Sequence, residues 1–152
     1  MRRVVVTGGA GFIGSHLVDR LLALGDRITV LDSFDETYPA AVKRENLRGA
    51  ASNTAFRLVE GDIRDLPLVR RLCQDVDYVL HQAALGSVPR SVDDPLTTHD
   101  HNVNGTVNVL QASREAGVKR VVFAASSSAY GDTEVLPKVE IMPARPLSPY
   151  AV

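Results

Sequence analysis

The sequence lacks most of the features that announce a function class. It has a single cysteine, Cys73, so no disulfide can form within the chain. A reducing compartment is then the simplest expectation, and a cytoplasmic protein is predicted. There is no excess of charge of either sign: 17 Lys and Arg stand against 18 Asp and Glu, a net −1. Neither nucleic acid nor an anionic membrane surface is an expected partner. No apolar run approaches the ~18 residues of a spanning helix. The apolar part of Met1-Arg2-Arg3-Val4-Val5-Val6-Thr7 is too short for a secretory signal. Internal repeats, low-complexity tracts and the G-x-S-x-G elbow of serine hydrolases are all missing. His16, His81, His99 and His101 do not show metal-ligand spacing, so no metal is expected. Each reads as an ordinary surface or packed histidine, and Cys73 as a small buried hydrophobe.

What is present is a hydrophobic fraction of 45% over 152 residues, enough for the core of one domain. Val4-Val5-Val6 is a β-branched run stopped by Gly8-Gly9 and reads as a buried strand. From Phe12 the period becomes helical, through Ile13, Leu17, Leu21 and Leu24, with Gly25 as the stop. Further strands are predicted at 28–31, 56–59, 78–80 and 121–124. Between them come a loop with a weak helix near 41–47, a helix over 66–73 that begins after Asp65, and a long helix over 95–116. That long helix is expected to present Val103, Val107 and Leu110 on one face, with Gly117 as its stop. Apolar strands alternating with helices imply βαβ units and a parallel sheet covered on both faces. No linker divides the chain, so one domain is expected over 1–152.

The tail differs. Pro137, Pro143, Pro146 and Pro149 are four of the eight prolines. They predict an extended loop after the fifth strand, of a kind that is usually functional or disordered. Ser148-Pro149 then reads as a helix start, with Tyr150-Ala151-Val152 as its first turn. One turn cannot sustain itself, so the expectation is a larger protein interrupted at this point.

The chemistry-bearing residues lie at predicted strand ends. In Thr7-Gly8-Gly9-Ala10-Gly11-Phe12-Ile13-Gly14, the set Gly9, Gly11 and Gly14 fits G-x-G-x-x-G, and Gly8, Gly11 and Gly14 fits G-x-x-G-x-x-G. Such a turn allows close backbone approach to a pyrophosphate at a helix N-terminus. It follows a strand and opens a helix, and Asp32 ends the next strand. A carboxylate there can bind the adenosine ribose diol and repel a 2′-phosphate. The alternative is a tightly packed turn that binds nothing. Asp62 after the third strand can reach an adenine ring, or it can simply be a turn residue. The small residues of His81-Gln82-Ala83-Ala84-Leu85-Gly86-Ser87 leave room for a flat ring or a ribose. Ser126, Ser127 and Ser128 read first as a solvated turn beside the same crevice.

Taken together, TGGAGFIGSHL (7–17), LD (31–32), GDIRDL (61–66), HQAALGSVPRS (81–91), NVNGTVNVL (102–110), AASSSAYGD (124–132) and PLSPYAV (146–152) resemble the extended short-chain dehydrogenase/reductase family. Within it the chain resembles the NAD-dependent nucleotide-sugar epimerases and dehydratases, most of all the UDP-N-acetylglucosamine and UDP-glucose 4-epimerases. The resemblance implies an α/β Rossmann-type doubly wound parallel sheet, truncated after about five strands, and NAD as cofactor. It implies that Gly8, Gly11 and Gly14 form the cofactor turn, with Phe12 and Ile13 over the pyrophosphate. Asp32 would take the ribose, Asp62 and Ile63 the adenine, and Gln82 and Ala83 would lie near the nicotinamide half. Ser87 and Ser127 would touch the sugar nucleotide. Ser126 takes the place of the catalytic hydroxyl and Tyr150 that of the Y-x-x-x-K tyrosine, while Tyr130 matches a structural tyrosine.

It further implies a UDP-sugar substrate, a UDP-N-acetylhexosamine favoured, a homodimeric parent, and a C-terminal substrate domain beyond this chain. The family's lysine would fall at position 154, so the 152 residues alone are expected to lack turnover. His101 is a smaller departure, at a place where relatives often carry Asn. Dehydratases of the group tend to carry Asp-Glu where Ser127 and Ser128 stand, which favours an epimerase. The alternatives are another sugar-nucleotide dehydratase, decarboxylase or reductase, or an NAD-binding module without catalysis.

Overall fold

A computed structural model describes residues 1–37 and 39–152. Five strands carry the fold: β1 (Arg3–Thr7), β2 (Arg27–Asp32), β3 (Phe56–Glu60), β4 (Tyr78–His81) and β5 (Arg120–Phe123). All neighbours pair in parallel, in the order β3-β2-β1-β4-β5. The register places Val4 opposite Ile28 and Tyr78, and Val6 opposite Val30 and Leu80. The most apolar strand thus lies at the centre, where both faces are covered. Val4, Val6, Ile28 and Val30 point to one face, and Val5, Leu31 and Val79 to the other. This is the period-2 alternation of a strand buried on both sides. Val6 is fully buried, a contribution of about 1.5–3 kcal/mol.

Helix α1 (Phe12–Ala23), α2 (Ala40–Asn46) and α3 (Arg48–Ala51) accompany the first face, through Val18, Leu47 and Ala50. Helix α4 (Leu66–Cys73) starts where expected, because the Asp65 carboxylate accepts the Leu68 N–H at 3.0 Å. It packs on the second face through Val69 and Cys73. Between β4 and β5 the chain forms α5 (Val88–Asp93), α6 (Pro95–His99), a π-helical turn over Asp100–Asn104, and α7 (Gly105–Glu115).

This departs from a single helix over 95–116. The inward face of α7 is Gly105, Val109, Ala112 and Ser113, whereas Val107 and Leu110 stand about half exposed. Small residues win that face because α7 lies close to Ile63: a Cβ on Gly105 would sit 2.5 Å from the Ile63 Cδ1. The loop expected after the weak helix contains α3, and α5 lies where no element was predicted. Strand β5 forms one end of the strand order, with Phe123 about half exposed. Beyond it a 3₁₀ turn (Ser127–Tyr130) leads into the proline-rich tail. The Ser148 hydroxyl accepts the Ala151 N–H at 3.2 Å, and residues 149–151 form a turn where the first turn of a helix was expected. No described helix is long and apolar enough to cross a membrane.

The turn after β1 works through missing Cβ atoms. Gly8 has φ +67°, and a Cβ there would lie 2.7 Å from the Ala83 N. A Cβ on Gly14 would overlap the Gly8 carbonyl oxygen and come within 2.7 Å of the Gly9 Cα. Both obstructions are backbone and cannot rotate away. Gly14→Ala should therefore cost about 2–3 kcal/mol in urea unfolding, well above a tolerated surface change. A loss under about 0.5 kcal/mol would contradict this packing.

Candidate functional site

The sheet's hydrogen bonding continues past the strand ends. Gly8 N–H donates to Leu31 O, Gly61 N–H to Asp32 O, Gln82 N–H to Thr7 O and Ala124 N–H to His81 O, at 2.8–3.1 Å. One row of backbone bonds thus fixes the glycine turn, the carboxylate strand end and the 82–85 segment side by side. They border a cleft of about 120 Å³ that is open to solvent. It lies at the carboxyl ends of the strands, where the chain order switches from one side of β1 to the other. Open parallel sheets bind ligands at that position.

Gly8, Gly11, Asp32, Asp62, Gln82 and Ala83 all line the cleft, as does Ile63. The Ile63 side chain is also buried against the second core face. Phe12 and Ile13 are exposed at the N-terminus of α1, and Gly14 is buried behind the turn. Gly11 begins α1 with no side-chain cap and no acid in the first turn. The orphan N–H groups and positive dipole end are therefore available to an anion.

The Asp32 carboxylate is buried but ordered by named donors: Ala10 N–H at 3.0 Å on Oδ2 and Phe34 N–H at 2.9 Å on Oδ1. Asp62 lines the cleft and is also a turn residue. Its Oδ1 accepts the Arg64 N–H at 2.8 Å. Burial alone would raise the Asp62 pKa, but the Arg64 hydrogen bonds and charge hold it below the usual range.

Ser87 is engaged in structure: it caps α5, accepting the Arg90 N–H at 3.2 Å. Ser126 caps the 3₁₀ turn and donates to the Ser128 Oγ at 3.1 Å, and Ser127 is exposed. These serines and Tyr150 lie outside the main cleft. A shallow depression beside them is lined by Val88, Ser128 and Ser148. Tyr150 nonetheless reaches back: a Cβ on Gly86 would sit 3.9 Å from its hydroxyl oxygen.

The structure also brings in residues outside the predicted site set, although His101 stood out in the sequence as a departure from relatives. His101 lines the cleft from the π-helical turn, its Nε2 3.7 Å from the Asp62 Oδ2. π turns of this kind are frequent at functional sites. Asn102 clamps the 82–87 segment at two points, accepting the Leu85 N–H at 2.8 Å and donating to the Leu85 O at 3.2 Å. Its only sequence signal was membership of the NVNGT motif. Asp35, Thr37 and Lys43 form a further wall, from a stretch read as polar loop and weak helix.

His81 lies beneath the cleft floor, where burial lowers its pKa to about 4. Its Nε2 is 2.9 Å from the Thr106 Oγ1, which itself donates to the Asn102 O. Nε2 must then carry the proton, and Nδ1 accepts from the Thr7 Oγ1 at 2.6 Å. Thr7 Oγ1 in turn accepts the Ala83 N–H at 3.3 Å. The neutral imidazole thereby ties β1, β4 and α7 together under the site.

An uncapped helix end behind a glycine turn, with a ribose-type carboxylate at the next strand end, defines a dinucleotide-binding α/β protein. These donors and acceptors fit NAD. The chain belongs to the NAD dependent epimerase/dehydratase family, whose model matches residues 4–152.

It is 44% identical over 98% of its length to a UDP-glucose 4-epimerase of Mycolicibacterium smegmatis, covering 47% of that protein. The UDP-N-acetylglucosamine 4-epimerase of Methanobrevibacter ruminantium M1 superposes with a TM-score of 0.89 at 35% identity, over 99% of this chain and 46% of that one. The dTDP-glucose 4,6-dehydratase of Streptomyces venezuelae, solved with NAD, gives 0.90 at 40%, over 98% of this chain and 47% of that one. The chain spans about half the length of these relatives.

The depressed histidine makes a pH prediction. An unfolded His81 titrates near 6.5 and the folded one at about 4, so between these values the unfolded state binds more protons. Stability is complete above pH 6.5 and falls as pH drops toward 4. Urea unfolding should show a loss of about 2–3 kcal/mol between pH 7 and pH 4.5. A His81→Gln variant should show a shallower dependence over that window. Identical slopes would remove His81 as the cause.

Proposed function

We propose that the chain is the NAD-binding part of a nucleotide-sugar 4-epimerase whose substrate is a UDP-sugar, a UDP-N-acetylhexosamine favoured. In this reading residues 1–152 are one dinucleotide-binding unit of a longer, homodimeric enzyme. That agrees with the half-length span of its relatives. The observation that carries the reading is the reach of the Tyr150 hydroxyl to Gly86, in the 82–87 segment that follows β4 and borders the cleft through Gln82–Leu85. A phenol there stands where a sugar beside the nicotinamide half would present its hydroxyl.

Each residue has a role that its position supports. The first turn of α1, after Gly8, Gly11 and Gly14 and under Phe12 and Ile13, holds the pyrophosphate. Asp32 accepts from the adenosine ribose, Asp62 and Ile63 border the adenine, and Gln82 and Ala83 hold the nicotinamide half. Ser87 and Ser127 contact the sugar nucleotide. Tyr150 accepts the proton of the sugar 4-hydroxyl, and Ser126 hydrogen-bonds the reacting oxygen. NAD, when bound, supplies the acceptor and then the donor of the C4 hydride. Between the two transfers the 4-keto sugar turns in the site, so the hydride returns to its other face.

Similarity to the Streptomyces venezuelae enzyme keeps a dehydratase as the second reading. Elimination of water needs an acid beside the catalytic hydroxyl. Ser127 and Ser128 occupy that place, and Ser128 is bonded to Ser126, which favours the epimerase.

The enzyme carrying this chain should convert UDP-N-acetylglucosamine, or UDP-glucose, to a product differing only at C4, as read by NMR. Tyr150→Phe should lower turnover by about 100-fold or more while leaving NAD affinity nearly unchanged. Loss of water would transfer the assignment to a dehydratase, and an unchanged sugar would refute both. NADP binding more tightly than NAD in calorimetry would refute the role given to Asp32.

A further inference from the structure

The cleft wall after β2 contains a buried ion cluster that the chemistry of epimerisation does not use. Helix α2 turns one residue into the interior, and it is a lysine: Lys43. Its side chain is 6% exposed, against 5% for Asp32 and 24% for Asp35. Nζ lies 2.6 Å from the Asp35 Oδ1 and 3.5 Å from the Asp32 Oδ1. The other Asp35 oxygen accepts the Thr37 N–H at 3.3 Å and the Thr37 hydroxyl, and faces the Arg90 guanidinium at 4.0 Å. Asp32, Asp35, Thr37 and Lys43 line one continuous wall of the cleft.

Burial works against the Lys43 ammonium, but Asp35 and Asp32 outweigh it and raise its pKa. Burial likewise pushes Asp35 up, and its bonds to Lys43 and Thr37 bring it below the usual range. The cluster is a buried cation between two acids, with a formal sum of −1. Arg90 sits at the rim with its side chain about half exposed, so solvent screens it.

Without Asp35 the charged groups of this wall, among the described residues, would be Asp32 and Lys43, a formally neutral pair. A cation in that position is what dinucleotide sites use to accept a 2′-phosphate. We propose that Asp35 is a specificity-determining residue: it ties Lys43 down beside Asp32 and keeps the ribose wall negative, which excludes a 2′-phosphorylated dinucleotide. The inference rests on NAD occupying this cleft with its ribose at Asp32. If the cluster only docked α2, its disruption would weaken NAD and NADP binding alike. A charge-based role changes their ratio instead.

Calorimetric titration of the protein with NAD and with NADP separates the two. Asp35→Asn should raise the NADP-to-NAD affinity ratio by about tenfold or more. Lys43→Met, which leaves two acids on the wall, should lower it. The double variant restores the formal −1 and should return to within about threefold of the starting ratio. A ratio unchanged in Asp35→Asn, or parallel losses for both dinucleotides, overturns the proposal. If Asp35→Asn does not fold, as judged by circular dichroism, the Lys43→Met ratio decides: no change overturns it. Failure of the unsubstituted protein to bind NAD would instead refute the cofactor placement itself.

Discussion

The cleft exists because the chain after β1 comes closer to its neighbours than any side chain permits. At Gly8 the obstruction is the backbone of Ala83, and at Gly14 it is the backbone of Gly8 and Gly9. At Gly9 it is the Val30 side chain, 2.6 Å from where a Cβ would stand. These approaches pull the start of α1 over the end of the central strand, so its orphan N–H groups open into the crevice. The same turn delivers the Ala10 N–H to Asp32. The open start of α1 and the position of the Asp32 carboxylate are thus set by one steric fact and cannot be adjusted independently.

Beneath that turn the protein uses polar groups with no loose ends. His81 is neutral, and its two nitrogens are each satisfied by a threonine hydroxyl. Thr7 passes the chain of bonds to Ala83, and Thr106 passes it to Asn102, which holds Leu85. A fully satisfied buried network of this kind specifies one arrangement of its members. Here it specifies the segment that runs from Gln82 toward Ser87, on the nicotinamide side of the proposed cofactor path.

The central strands were legible because β1 and β2 are short, mainly apolar and β-branched runs ended by Gly8 and Asp32. The glycine turn and Asp32 were legible for a related reason, since backbone approach and strand-end placement leave residue types at short spacing. The inward face of α7 was not. Gly105 and Ala112 carry too little hydrophobic signal to compete with Val107 and Leu110, yet close packing on Ile63 demands small residues there. The wall of Asp35 and Lys43, and the contact of His101 with Asp62, were hidden differently. Their members lie on separate elements, and only the fold brings them together. A sequence read segment by segment sees a polar loop, a weak helix, a candidate carboxylate and a histidine that stands apart from it.

The row of backbone bonds that carries the sheet past its strand ends has a mechanical consequence. Gly8, Gly61, Gln82 and Ala124 belong to the same ladder as the core. The floor of the cleft is therefore tied by backbone bonds to the core strands, and its opening is coupled to theirs. Local opening is left to the side walls. Of these, the segment from Ser33 to Thr37 is held by side-chain bonds to Asp32 and Asp35 rather than by strand pairing. A ligand entering this crevice meets a floor tied to the sheet and a flank held by side chains, and that flank carries the charges of Asp32, Asp35 and Lys43.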